Sequence, residues 1–161
     1  MATFQFKGLD TYIKQLSALN AGDKSDIIGK TVYAGAAVVA DAVRKSIEDL
    51  PVGSGTAKDG ELIDTVTPMQ KRGLLDGFGI SRIQDDDGFV NVKLGFDGYN
   101  GTRTKNYPKG QPNVLIARAV NSGTTFRKKT RFVDKAVSSS RKAAEKAMDE
   151  TCNREIEKIM K

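Results

Sequence analysis

The feature that most limits how this chain can fold is an unbroken helical stripe. Ile28, Val32, Gly35, Val39, Val43, Ile47 and Leu50 follow one another at steps of three or four, the spacing that lines one face of a 3.6-residue helix. A helix of that length, from about Ser25 to Leu50, must bury its stripe against a comparable element. The chain offers one near its other end, where Val133, Val137, Ala144, Met148, Cys152, Ile156 and Ile159 step mostly by four, predicting a helix over 132–160 with Thr130 as its N-cap. Small residues at Ala34-Gly35-Ala36-Ala37 let another backbone approach closely; a subunit contact would use them equally, but packing within the chain is expected because core faces outnumber interfaces in a domain of this size.

Between the two helices the period changes. Phe78, Ile80 and Ile83, then Phe89, Val90, Val92, Leu94 and Phe96, surround the turn Asp85-Asp86-Asp87-Gly88, which predicts a β-hairpin over 77–96. Phe4 and Phe6 alternate with polar residues as a short strand over 3–7 that would join the same sheet. Tyr12, Ile13, Leu16 and Leu19 suggest a helix over 9–19. Residues 114–120 read as a short helix with Leu115, Ala119 and Ser122 on one side. The expectation is a single α+β domain over 1–161, a small antiparallel sheet packed against two long helices. Two stretches rich in glycine and proline, 51–72 and 99–113, read as mobile loops. At 29 residues the last helix would be about 43 Å long, more than one compact domain should cover, so part of its face is expected to need another chain.

Chemistry is bounded by what the composition lacks. There is no histidine and a single cysteine, Cys152, which removes imidazole-based triads and leaves no donor set for zinc, haem or iron-sulfur clusters. Gly53-Ser54-Gly55-Thr56-Ala57-Lys58-Asp59-Gly60 lacks the Gly-Lys-Ser/Thr ending of a phosphate loop, and the Asp85–Asp87 turn lacks calcium-loop spacing. The expectation is a protein without enzymatic activity and without a cofactor. The N-terminal stretch meets Lys7 and Asp10 before an apolar run develops, unlike a secretion signal, and no segment reaches the roughly 18 apolar residues of a membrane span. Synthesis and residence in a cytoplasm, with no membrane contact, follow as expectations.

Charge is distributed unevenly. From Gly98 to Val133 there is no acid, while Arg103, Lys105, Lys109, Arg118, Arg127, Lys128, Lys129 and Arg131 give the segment +8, leaving −2 for the remainder of a chain whose total is +6. These eight residues are the candidate contact surface for an acidic partner: nucleic acid, an acidic protein face, or the carboxylates of a neighbouring copy.

Several motifs occur in an order that resembles one bacteriophage family. They are Gly-Leu-Leu-Asp-Gly-Phe-Gly-Ile (73–80), Phe-Val-Asn-Val-Lys-Leu-Gly-Phe-Asp-Gly-Tyr (89–99), Tyr-Pro-Lys-Gly-Gln-Pro-Asn (107–113), Ile-Ala-Arg-Ala-Val-Asn-Ser-Gly-Thr (116–124) and Arg-Phe-Val-Asp-Lys-Ala-Val (131–137). Over essentially the whole chain the sequence is similar to the gene-product-ten-like tail-component family of long-tailed phages of the Hong Kong 97 type. The resemblance implies a virion protein made in the bacterial host cytoplasm and placed at the head-tail junction or head-proximal tail end. It also implies a ring of copies in contact with neck, tail terminator or tail tube proteins, and at most weak contact with phage DNA. Nucleic-acid binding, to phage or host DNA, is the alternative reading. Relatives of this kind carry proline before the aromatic residue that opens the last helix. Arg131 stands there instead, and the loss should loosen the helix start slightly.

Overall fold

A computed structural model describes residues 14, 17, 23–57 and 60–160. The 3–7 strand, Lys58 and, apart from helical Lys14 and Ser17, the 9–19 helix lie outside the described residues. In order, the elements are α1 (Asp23–Glu48), α2 (Pro68–Gly77), β1 (Phe78–Ile80), β2 (Gln84–Asp86), β3 (Phe89–Asn91), β4 (Leu94–Phe96), α3 (Asn113–Ser122) and α4 (Phe132–Met160). The class is α+β, with a small antiparallel sheet beside two long helices that pack on each other.

Helices α1 and α4 run antiparallel. Lys30 meets Glu155, Gly35 lies under Met148 and Ala144, and the Ser46 hydroxyl donates to the Phe132 carbonyl at 3.0 Å. The alanine- and glycine-rich patch is therefore intramolecular packing. A Cβ on Gly35 would stand 2.6 Å from the Met148 Cγ, so glycine there sets how closely the helices approach. The buried face of α4 differs from the expected one. It runs through Phe132, Ala136, Ser140, Ala144, Thr151 and Glu155, while Val137 is left 44% exposed. Close approach to α1 selects small side chains rather than the larger apolar ones, and Ser140 satisfies its hydroxyl on the Ala136 carbonyl at 2.7 Å. Buried positions continue along α4 as far as Glu155, opposite Lys30 of α1, while Val137 is exposed and Met148, Cys152, Ile156 and Ile159 are only half-buried, so the apolar face expected to need another chain is left partly exposed.

The main core lies toward the C-terminal end of α1. Val43, Ile47, Leu74, Val66 and Val120 are essentially without solvent contact, and such a side chain contributes about 1.5–3 kcal/mol by leaving water. Phe78 of β1, Phe96 of β4 and Phe132 of α4 form a ring cluster with centroids 5.0 and 6.3 Å apart, joining sheet and helices. Arg44 sits over Phe78 and donates to its carbonyl.

The hairpin has a joint. Phe78 pairs with Phe96 and Ile80 with Leu94, but beyond them Gln84 pairs with Asn91 and Asp86 with Phe89. Residues 81–83 thus stand opposite only 92 and 93, a one-residue bulge in which the Ser81 hydroxyl accepts from the Lys93 amide at 2.8 Å. Ile83 turns onto the N-terminal part of α1 at Gly29.

The 51–72 stretch is more ordered in its bonding than its composition suggests. Residues 68–72 belong to α2, started by a capping box in which Thr67 and Gln70 satisfy each other's amides, with Pro68 in the first turn. Upstream, Val52 and Val66 pair in parallel, with Gly53 donating to Val66 and Val66 to Pro51. Lys71 of α2 reaches the Glu48 and Leu50 carbonyls and so closes the C-terminus of α1. Between 99 and 113 the chain folds on itself: Asn100 donates to the Gln111 carbonyl, Gln111 to that of Thr102, and Thr104 and Tyr107 exchange backbone bonds. The root of this excursion is a buried pair of asparagines. Asn113 donates to the Asp97 carbonyl at 2.8 Å and receives Asn100, and a Cβ on Gly73 would meet the Asn113 Oδ1 at 2.6 Å.

Candidate assembly surface

Of the eight candidate cations, seven are exposed and one is not. Arg103, Lys105 and Lys109 project from the 99–113 excursion, Arg118 stands on the outer side of α3, and Lys128, Lys129 and Arg131 lie on the connection from α3 to α4. Arg127 is the correction. It is 7% exposed, its Nη1 donates to the Thr65 carbonyl at 2.6 Å, and burial holds its pKa below the usual guanidinium value. No carboxylate pairs with it among the described residues. The sequence marked it as one of a run of surface charges; the backbone turns its side chain inward instead.

That turn follows from the local chain. Helix α3 ends at Ser122, and Gly123, at φ 78°, packs so tightly that a Cβ would lie 3.0 Å from the Arg127 carbonyl and the Lys129 amide. Thr124 and Arg127 then exchange backbone hydrogen bonds around a tight turn, which puts Phe126 at its tip with 58% exposure. Ile63 pairs alongside, donating to Phe126 and accepting from Lys128. The long 51–66 segment and the α3–α4 connection therefore hold each other in place. An open groove of about 510 Å³ runs between them, past Leu62, Gly123, Arg127, Lys128 and Lys129.

The start of α4 is likewise fixed by a neighbour. Thr130, expected as N-cap, accepts from the Phe132 amide at 3.4 Å while it donates its hydroxyl to the Val120 carbonyl at 2.9 Å. The side chain of Asn121 takes the capping role, its Oδ1 accepting from the Val133 amide at 3.0 Å and its Nδ2 reaching Asp134. Arg131 has φ 56°, in the left-handed region, and donates its amide to the Asn121 carbonyl at 3.0 Å. A proline could not occupy that conformation, so the expected loosening does not apply: α3 pins the helix start.

Beside this surface lies a half-open apolar cavity of about 220 Å³. Ile116, Ala119 and Val120 form its floor, Leu115 and Phe126 its rim, and Gln70 and Gln111 its polar edge. The buried side of α3 is Asn113, Ile116, Ala117 and Val120 rather than the expected Leu115, Ala119 and Ser122, which leaves Leu115 39% exposed at the mouth. The sequence reading missed Leu115 and Phe126 as surface features; two apolar residues flanking a cationic run were the available signal. A second cleft, of about 680 Å³, opens between Pro68, Met69 and Arg72 of α2 and Gly101 and Thr102 of the excursion.

At the far end of the long helices, Glu155 is buried between cations. Lys158 donates to it at 2.5 Å and Lys30 at 3.2 Å, and these bonds hold its pKa down to about 2, while Lys30 is raised above its usual value by Asp26 and then Glu155. Cys152 is half-buried. Among the described residues no group of three or more histidine, cysteine, aspartate or glutamate side chains could hold a metal ion, and no helix is long and apolar enough to cross a membrane. Compared with known proteins, the chain matches no family model, no curated protein and no solved structure.

Proposed function

We propose that this chain is a structural joining protein of a long-tailed bacteriophage, one subunit of a ring at the head-tail junction or the head-proximal end of the tail. The observation that carries this reading is the combination, on the side of the molecule built from 62–66, α3 and the α3–α4 connection, of exposed cations with unpartnered apolar side chains on a hydrogen-bonded base. Lys128, Lys129 and Arg131 accompany Phe126, Leu115 and Leu62 there. A surface with both features suits a protein partner: the apolar groups supply affinity and the charges orientation and encounter rate. The ordered resemblance of its motifs to the tail-component family adds the setting. In that setting the protein acts in the virion and performs no chemical step.

The test uses phage that carry this gene. Arg118→Ser, Lys128→Ser and Lys129→Ser together, with Arg127 retained because it is buried, should leave a folded protein and produce lysates with unjoined heads and tails. Full infectivity with that variant incorporated would overturn the role of this surface. The unmodified protein should bind random duplex DNA weakly at physiological salt. Submicromolar binding, with a salt slope that drops by about one unit per cation removed, would replace joining with nucleic-acid binding.

A further inference from the structure

The ring reading leaves open what a subunit uses to hold its neighbour. The hairpin tip, residues 84–91, carries Asp85, Asp86 and Asp87 and no cation, and Phe89 stands on it with 72% of its surface in solvent. A single exposed apolar side chain is ordinary on a protein surface; what marks Phe89 is the run of three aspartates beside it on the same tip. The apolar cavity on the other side of the molecule has the complementary character: an apolar floor, a rim of Leu115 and Phe126, and Arg127 in its lining, with Lys128 and Lys129 on the separate groove that shares Thr124 and Arg127 with it. We propose that the acidic hairpin tip of one copy docks into this cavity of the next, with Phe89 filling it and Asp85–Asp87 meeting the cations of the adjoining groove.

Size and position support one occupant, a second copy of this chain. An apolar cavity of about 150 Å³ can hold a benzene molecule, so about 220 Å³ accepts a phenyl ring. The hairpin rests against α1 at Gly29, whereas the cavity floor shares the core of Ile47 and Leu50. At 1.5 Å per residue, Gly29 and Ser46 are about 26 Å apart along α1, so no molecule can fill its own cavity. Tip and cavity are different surfaces, which makes the contact heterologous, the kind that closes into a ring when the rotation between copies permits. The acid-free 98–133 segment and the acid-only tip thereby explain each other, as two halves of one interface. Arg127 gains in the docked state an anionic neighbour, where among the described residues no carboxylate pairs with it.

This inference rests on the ring reading and is tested by trapping, which registers weak association. In a Cys152→Ser background that keeps Phe89, one chain carries Gln84→Cys on the hairpin tip and a second, of different mass, Leu115→Cys; Val137→Cys on the outer side of α4 serves as control. Oxidation with diamide should give tip-to-cavity heterodimers at least about tenfold above the Gln84–Val137 pair, the scale set by burying one phenyl side chain. A chain with both cysteines should give a ladder ending in a closed species. Neutralising Asp85, Asp86 and Asp87 to asparagine, which keeps the turn, should cut the yield severalfold, and so should high salt. Yields equal to the control, or unchanged by the neutralisation, overturn the inference; if virions still show a ring of this protein, only the hairpin contact is lost. Closed ladders in vitro together with normal head-tail joining by phage bearing Phe89→Ser would instead keep the contact and overturn the junction reading.

Discussion

Arg131 offers the sharpest check on the local geometry. An L-residue other than glycine held at φ 56° costs about 1–2 kcal/mol, which the surrounding bonds to Asn121 repay. Replacing it with glycine removes that strain at some expense in unfolded-state entropy, a net gain of about 1 kcal/mol. For a chain of this size, Arg131→Gly should raise Tm by about 2–4 °C. Proline must move φ to about −65° and has no amide proton. Arg131→Pro therefore loses the bond to the Asn121 carbonyl and pulls Val133 away from its Asn121 cap, each about 1 kcal/mol. With the displaced backbone added, the total is roughly 3 kcal/mol, a fall in Tm of about 6–12 °C. Thermal melts followed by circular dichroism at matched concentration measure both variants, with Arg131→Asn as a charge-free control that tolerates the left-handed region. A proline variant as stable as the parent would refute this account. It would mean that the connection can adopt the conformation that proline requires.

Three other outcomes follow from the same coordinates. Arg127→Ser should lose about 1–3 kcal/mol by leaving the Thr65 carbonyl unpaired over a void, and Arg127→Met should lose less because the packed stem is kept; urea titrations separate the two. Asn121→Ala should cost about 1 kcal/mol and speed amide exchange in the first turn of α4 before any other helix. Glu155 ionises more readily folded than unfolded, so its stabilisation is complete above its unfolded pKa of about 4.5 and fades as pH falls toward about 2. Between about pH 6 and about pH 3 the parent should therefore lose more Tm than Glu155→Gln. The raised pKa of Lys30, from its bonds to Asp26 and then Glu155, keeps its ammonium charged beyond the usual lysine range.

The parts of this fold that sequence periodicity reveals are those where burial alone chooses the residue. The α1 stripe is of that kind, whereas the hairpin strands pair near where the alternation places them but leave Ile83 and Phe89 exposed and divide at a bulge. The α4 face was misread because contact with α1 selects small residues: Ala136, Ser140 and Ala144 carry little hydrophobic signal, while the more apolar Val137 faces out. Helix α2 was hidden by glycines that read as loop, although Thr67-Pro68-Met69-Gln70 spells a capping box with proline in the first turn. In the candidate surface, the seven exposed cations were legible from the missing acids, whereas the burial of Arg127 depends on Thr65, 62 positions away in the chain. The apolar cavity was illegible for the same reason. Its rim joins α3 to a turn whose shape is set by pairing with Ile63.

The pairing of α1 with α4 also governs timing during synthesis. Roughly a hundred residues separate Gly35 from the Met148 that covers it, and helix α4 must leave the ribosome before the stripe on α1 has anything to pack against. A nascent chain that has produced the hairpin and α3 still exposes the α1 face, a state that invites chaperones and holds off cooperative folding. The start of α4 takes its capped geometry only once Phe132 and the residues after it have docked on α1 and α3. On the proposed joining role, assembly competence arrives with the last helix.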